Sequence, residues 1–146
     1  MPKTYLFRPE WYVGKGIEKK IRSLCIGETL NFPCGASRFG NIRADIYSEM
    51  RPDVIADLHN PPFKHLSFDT IVCDPPFPFY NDSRIGLGWL YEAARLARKR
   101  IIYKSPKFNI KINYRIWKKH YVILEDNRMS FSFLQIFDRV TQPISK

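Results

Sequence analysis

Apolar and polar positions change period several times along this 146-residue chain, and each change marks an element. Seven short runs rich in β-branched and aromatic residues read as strands: Glu28 to Phe32, Ile42 to Tyr47, Asp53 to Leu58, Phe68 to Asp74, Arg100 to Lys104, His120 to Glu125 and Phe131 to Val140. Three stretches read as helices. Ile17 to Cys25 aligns Ile17, Ile21, Leu24 and Cys25 on one stripe, with Lys19, Lys20 and Arg22 off it. Ile85 to Lys99 aligns Leu90, Ala93, Ala94 and Ala97, with Arg95, Arg98 and Lys99 elsewhere. Phe108 to Lys119 aligns Phe108, Ile112 and Ile116, although Asn109 and Asn113 lower its propensity.

The first five strand patterns are separated by Gly, Pro or polar breaks or by helical stretches, which predicts a parallel α/β sheet. The last two are joined by the short turn Asp126 to Ser130 and should form an antiparallel hairpin. Connections after Phe32 and Tyr47 are too short for full crossover helices, so sparse cover is expected at that end of the sheet. One domain over 1–146 is expected, with an N-terminal arm and helix over 1–27 and a catalytic core over 28–140.

Charge narrows the partners. Lys and Arg number 24 against 14 Asp and Glu, a net charge of +10, so a polyanion is the first partner to expect. Aromatics at 15% add stacking surfaces among these charges, which suits nucleic acid. The plainer explanation is that positive charge keeps the protein soluble. No run approaches the roughly 18 to 20 apolar residues that span a bilayer, and the start MPKTYLFRPEW lacks a signal-peptide core. An intracellular protein with no membrane partner is expected. Cys25, Cys34 and Cys73 are odd in number and imply no disulfide framework. His59, His65 and His120 lack zinc-ligand spacing, so no metal is expected.

The stretch TIVCDPPF, Thr70 to Phe77, concentrates the chemistry. A buried-strand pattern runs straight into Asp74, Pro75, Pro76 and Phe77, at the strand's carboxyl end, where open α/β sheets bind ligands. An exocyclic amino nitrogen of adenine or cytosine is a poor nucleophile because its lone pair is delocalised into the ring. Two acceptors on its hydrogens, the Asp74 carboxylate and the Pro75 carbonyl, would pull that nitrogen toward tetrahedral geometry. The prolines fix the turn at little entropic cost, and Phe77 can stack on the base for roughly 1 to 3 kcal/mol. A sulfonium methyl held in line would supply the electrophile, and positioning would carry most of the catalysis. The bland alternative is a Pro-Pro turn capping a strand. NPPF, Asn60 to Phe63, has the same pattern, but it follows the polar Asp57-Leu58-His59 and reads as a turn.

On the nucleotide side, FPCGASRFG follows the first strand, and Gly35 can take a positive φ that lets backbone approach a ligand. The next strand ends in Asp45, and the third in Asp57 followed by Leu58. Carboxylates at neighbouring strand ends can meet a ribose diol and an adenine amino group. Either acid alone is more often a solvated strand terminus.

With these residues in place, the chain resembles the S-adenosylmethionine-dependent methyltransferases of the amino-methylating group, which carry an Asp/Asn/Ser-Pro-Pro-aromatic motif after the fourth strand. The likeness runs from about Thr29 to Val140. It implies a Rossmann-like sheet of order 3-2-1-4-5-7-6, with the last strand antiparallel and S-adenosyl-L-methionine as cofactor. It also implies cofactor contacts at Phe32, Cys34 and Gly35, a ribose acid at Asp45, adenine contacts at Asp57 and Leu58, and catalysis at Asp74, Pro75, Pro76 and Phe77. Tyr80, Asn81 and Arg84 are placed to meet a flipped nucleotide. DNA adenine is the leading substrate, ahead of cytosine or RNA. The chain has no room for a separate target-recognition domain, so a dimer or partner subunit is one source of specificity. Two further readings stand beside this: a nucleic-acid-binding module without turnover, and an N-methyltransferase of protein amides or small molecules.

Overall fold

Chain order runs α1 (Lys15–Leu24), β1 (Thr29–Asn31), β2 (Ile42–Asp45), a 3-10 turn (Ser48–Met50), β3 (Val54–Ile55), β4 (Phe68–Cys73), α2 (Gly88–Leu96), β5 (Ala97–Ser105), β6 (Trp117–Glu125) and β7 (Phe131–Arg139). This is the order in a computed structural model, which describes residues 15–75, 88–105, 113, 115–125 and 131–140. The strands form one sheet, β3-β2-β1-β4-β5-β7-β6. Pairing is parallel from β3 to β5, whereas β7 is antiparallel to both β5 and β6. The expected strand order, the parallel core and the closing hairpin are all observed.

Each face of the sheet is covered by one of the two described helices. Leu30, Ile71, Ile101 and Phe137 lie in register on one face and pack with Trp89, Leu90, Ala93 and Leu96 of α2. On the other face Val72, Ile102 and Leu134 pack with Ile21 of α1 and Phe39 of the β1–β2 loop. Ile17, Leu24 and Cys25 border this second cluster, so the stripe read from the sequence is the buried one. Among the described residues no helix is long and apolar enough to cross a membrane.

Where β1, β2 and β3 are connected, loops replace crossover helices, as their length required. Polar anchors hold them. The buried Arg43 of β2 donates from Nε to the Ser37 carbonyl (2.7 Å) and from its two terminal nitrogens to the Arg51 (2.9 Å) and Met50 (3.2 Å) carbonyls. One guanidinium thus ties the loops on both sides of β2 to the sheet. Its five fixed donors suit it to satisfying several backbone carbonyls at once.

Two helix expectations need correction. The helix expected to reach Lys99 stops at Leu96, and Ala97, Arg98 and Lys99 begin β5. Tertiary partners outweigh helical spacing here. Ala97 pairs with Phe68, Arg98 Nε donates to Asp69 Oδ1 at 3.0 Å, and Arg139 donates to the Ala94 (3.3 Å) and Ala97 (2.8 Å) carbonyls. The first residues of that expected helix, 85–87, lie outside the described residues. The helix expected over Phe108 to Lys119 is likewise absent where the structure describes it: Trp117 to Lys119 belong to β6, paired with Arg139 to Phe137 of β7. Asn113 opens a turn instead. Its Oδ1 accepts from the Arg115 N–H (3.0 Å) and its carbonyl from the Ile116 and Trp117 N–H groups, a local competition with the helix ladder.

Candidate active site

Because β1, β2, β3 and β4 are parallel neighbours, their carboxyl ends open on one side of the sheet. Phe32 extends the pairing of β1 by donating its N–H to the Val72 carbonyl (3.0 Å), and its ring is buried edge-on to Phe63. The chain then turns. The Cys34 N–H donates to the Ala44 carbonyl (2.9 Å), and Gly35 takes φ +50°, a conformation that favours glycine. The Gly35 N–H donates to Asp45 Oδ2 at 2.8 Å, while Asp45 Oδ1 accepts the Tyr47 N–H at 3.0 Å. Asp45 is only 2% exposed, so its carboxylate braces the glycine turn against the end of β2.

Asp57 follows β3 and is half-exposed. Its Oδ1 accepts both the His59 N–H (2.9 Å) and a His59 Nδ1 contact (3.1 Å), which fixes the carboxylate in a tight turn. The His59 backbone hydrogen bond holds the Asp57 carboxyl below its ordinary range. Leu58 is buried beside it.

Asp74 stands at the end of β4, next to β1 in the sheet, with Pro75 buried behind it. Its side chain is 22% exposed, and its ion-pair partner among the described residues is Lys104 of β5, whose Nζ lies 3.9 Å from Asp74 Oδ1. Burial pushes the Asp74 carboxyl above its ordinary range, and Lys104 pulls it part of the way back. Burial also raises the neighbouring thiols, Cys34 to about 11 and Cys73 to about 12. Neither is poised as a thiolate nucleophile. Pro76, Phe77, Tyr80, Asn81 and Arg84 lie outside the described residues.

NPPF has a structural explanation. Arg95 of α2 donates to the Phe63 carbonyl at 2.9 Å and reaches the Pro61 carbonyl at 3.5 Å, while its Nε holds Glu92 at 2.7 Å. Phe63 stacks edge-on to Phe68 at 5.2 Å. The loop's carbonyls and aromatic ring are therefore engaged in packing.

The fold places Gly35, Asp45, Asp57 and Asp74 at the same end of four adjacent strands, with Gly35 and Asp45 in direct contact. It buries Phe32, Cys34 and Leu58 and leaves Asp57 half-exposed and Asp74 partly exposed on that side. Sequence reading missed Lys104, Arg43 and Arg95. Lys104 was recoverable: once β5 is set beside β4 with Cys73 opposite Tyr103, the next pair is Asp74 and Lys104. The other two reach backbone carbonyls on distant loops, which leave no pattern.

Neither the protein-family models nor the curated proteins contain a match to this chain. Solved structures do match. The magnesium protoporphyrin IX methyltransferase of Synechocystis PCC 6803, with bound S-adenosylmethionine, aligns at TM-score 0.56 and 14% identity, over 84% of this chain and 74% of that one. The PH0226 protein of Pyrococcus horikoshii OT3 aligns at 0.55 and 12% identity, over 87% and 92%. HI0767 of Haemophilus influenzae, described as a methylase, aligns at 0.52 and 14% identity, over 85% and 97%. At such identities the likeness is one of fold: this chain has the Rossmann-like methyltransferase sheet.

Proposed function

We propose that this chain is an S-adenosylmethionine-dependent methyltransferase acting on the exocyclic amino group of a nucleic-acid base, with adenine N6 in DNA as the leading substrate and 28–140 as its catalytic core. The observation that carries this reading is Asp74-Pro75 at the end of β4, beside the glycine turn of β1, in a sheet shared with a methyltransferase that binds this cofactor. The net charge of +10 supports a polyanionic substrate.

The residues present fit the cofactor. Gly35 at φ +50° allows close backbone approach, and the half-exposed, ionised Asp57 offers an acceptor to an adenine amino group beside Leu58. Asp45 acts here as the brace that shapes the turn, and its remaining lone pairs would be the ones offered to a ribose. When bound, the cofactor supplies an electrophilic methyl group on a sulfonium. Asp74 and the Pro75 carbonyl would accept the two amino hydrogens, localising the nitrogen lone pair, and Phe77 would hold the base by stacking. Asp74 would also be a base for the proton that the methylated nitrogen must release.

Incubation with methyl-labelled cofactor and DNA or RNA oligonucleotides tests the reading, and digestion of the product names the base. Label should enter an oligonucleotide and vanish with Asp74→Ala; absence of transfer to every oligonucleotide would overturn it. One observation favours a second reading, a binding module without turnover: both oxygens of the buried Asp45 already hold backbone amides. Such a module would retard DNA on a gel yet show no melting shift with S-adenosylmethionine.

A further inference from the structure

A carboxylate that must accept an amino hydrogen has to be ionised and has to keep one oxygen turned to the substrate. Asp74 stands where both are difficult. It is 22% exposed, at the end of a strand whose last residues, Val72 and Cys73, are buried. On the β1 side the buried Phe32, just past the strand, bonds the Val72 carbonyl and adds an apolar neighbour near this strand end. The compensating charge comes from β5. Lys104 is 17% exposed, and the parallel register that sets Ile102 beside Val72 and Tyr103 beside Cys73 brings its Nζ within 3.9 Å of Asp74 Oδ1.

We propose that Lys104 is the positioning residue of the site: it holds Asp74 ionised and engages Oδ1, leaving Oδ2 to take the substrate's amino hydrogen. This rests on the reading of Asp74 as the amino-group acceptor. Removing one member of a largely buried charge pair leaves the other uncompensated, so the carboxylate should respond strongly to loss of the lysine. The other titratable group coupled to Asp74 among the described residues is Cys73 on its own strand, whose thiol, raised to about 12, stays neutral throughout the range in question. On β5 the coupled group is Lys104 itself. A cation so close would oppose charge developing on the methylated nitrogen, so its benefit lies in the ground state, where it fixes charge and orientation before the substrate arrives.

The test uses the intact chain without cofactor. Aspartate is labelled with carbon-13 at the side-chain carboxyl, and the Asp74 resonance is assigned by its loss in Asp74→Asn. In Lys104→Met the Asp74 carboxyl should titrate roughly one pH unit or more higher than in the wild type, and Lys104→Arg should restore the wild-type midpoint. Lys104→Gln serves if Lys104→Met does not fold. An unmoved or lowered midpoint in folded Lys104→Met or Lys104→Gln overturns the proposal. In turnover, Lys104→Met should lower kcat at neutral pH about tenfold or more, move the acid limb of the pH–rate profile upward, and leave cofactor affinity unchanged. A wild-type protein without transferase activity but with the expected shift would remove the proposed function and leave the Lys104–Asp74 coupling standing. An active protein with no shift would remove this inference alone.

Discussion

The Gly35 N–H donates to Asp45 Oδ2 at 2.8 Å, joining the turn after β1 to the end of β2 across ten residues that contain no helix. A carboxylate here replaces what a crossover helix supplies in a longer chain, a fixed place for the loop. The second oxygen holds the Tyr47 N–H, so both sides of β2 depend on one buried side chain.

Asp45→Ala should therefore cost stability through two unsatisfied amides, at about 1 to 3 kcal/mol each. Asp45→Asn should recover only part of this, because its amide nitrogen would face one N–H donor. Urea unfolding measures both losses. A loss of binding to S-adenosylmethionine should accompany them in isothermal titration, because the turn at Gly35 is no longer held. Unchanged stability in Asp45→Ala would mean that the brace contributes nothing.

How much of this was legible in the sequence follows from the range of each interaction. The parallel core and the hairpin follow from local pattern and connection length, the strand order came with the resemblance, and Ile17, Ile21, Leu24 and Cys25 pack as their spacing demands. Ala97 to Lys99 continue the periodicity of α2 yet belong to β5, because pairing with β4 and the Arg98 bond to Asp69 decide them. No local property distinguishes Arg98 as a strand residue. At the site, the acids were visible as strand-ending residues, but not that Asp45 would turn inward while Asp57 stayed half-exposed. That difference depends on Gly35 and Tyr47 offering amides to one and, among the described residues, His59 to the other.

NPPF and DPPF share a pattern, and Arg95 separates them. Arg95→Met removes the donors to the Phe63 and Pro61 carbonyls and should lower stability by about 1 to 2 kcal/mol. The value sits at the modest end because Arg95 and its partner Glu92 are each about one-third exposed, where water screens the ion pair. Label transfer per folded molecule should survive. Retained stability together with lost transfer would mean that the NPPF loop, rather than DPPF, carries chemistry.

Gly27 and Gly16 offer an internal comparison of backbone requirements. Gly27 has φ +60°, and an added Cβ would collide with the Asp69 carboxylate. Asp69 would have to swing away from the Glu28 N–H and from Arg98, which it holds at 3.0 Å each. Gly27→Ala should therefore cost about 2 kcal/mol or more, combining the left-handed penalty with lost hydrogen bonds. Gly16 is in the first turn of α1 and a Cβ there meets nothing within 4 Å. Gly16→Ala should be neutral or stabilising by up to about 1 kcal/mol. Thermal unfolding of the two variants in parallel checks the contrast, and equal effects would contradict it.

Asp74 should cost the fold stability that its chemistry requires. Burial raises its carboxyl above the ordinary value, with Lys104 offsetting only part of the effect. The folded chain therefore binds this proton more tightly than the unfolded one, and stability declines as pH climbs from the unfolded pKa of about 3.9 through the raised folded value. Above that value the penalty is constant. Asp74→Asn alone would strand the largely buried Lys104, so the comparison is made in Lys104→Met. There Asp74→Asn removes the charge and keeps the shape, so at pH 7 the double variant should melt a few degrees higher than Lys104→Met while transferring no methyl label. The gain should shrink as pH is lowered and disappear near or below pH 4, where the Asp74 carboxyl is protonated in both states. Thermal melts of the two proteins at several pH values decide it. A double variant less stable than Lys104→Met at pH 7 would show that the turn rewards the charge more than burial penalises it, and Asp74 would then belong to the framework of the fold.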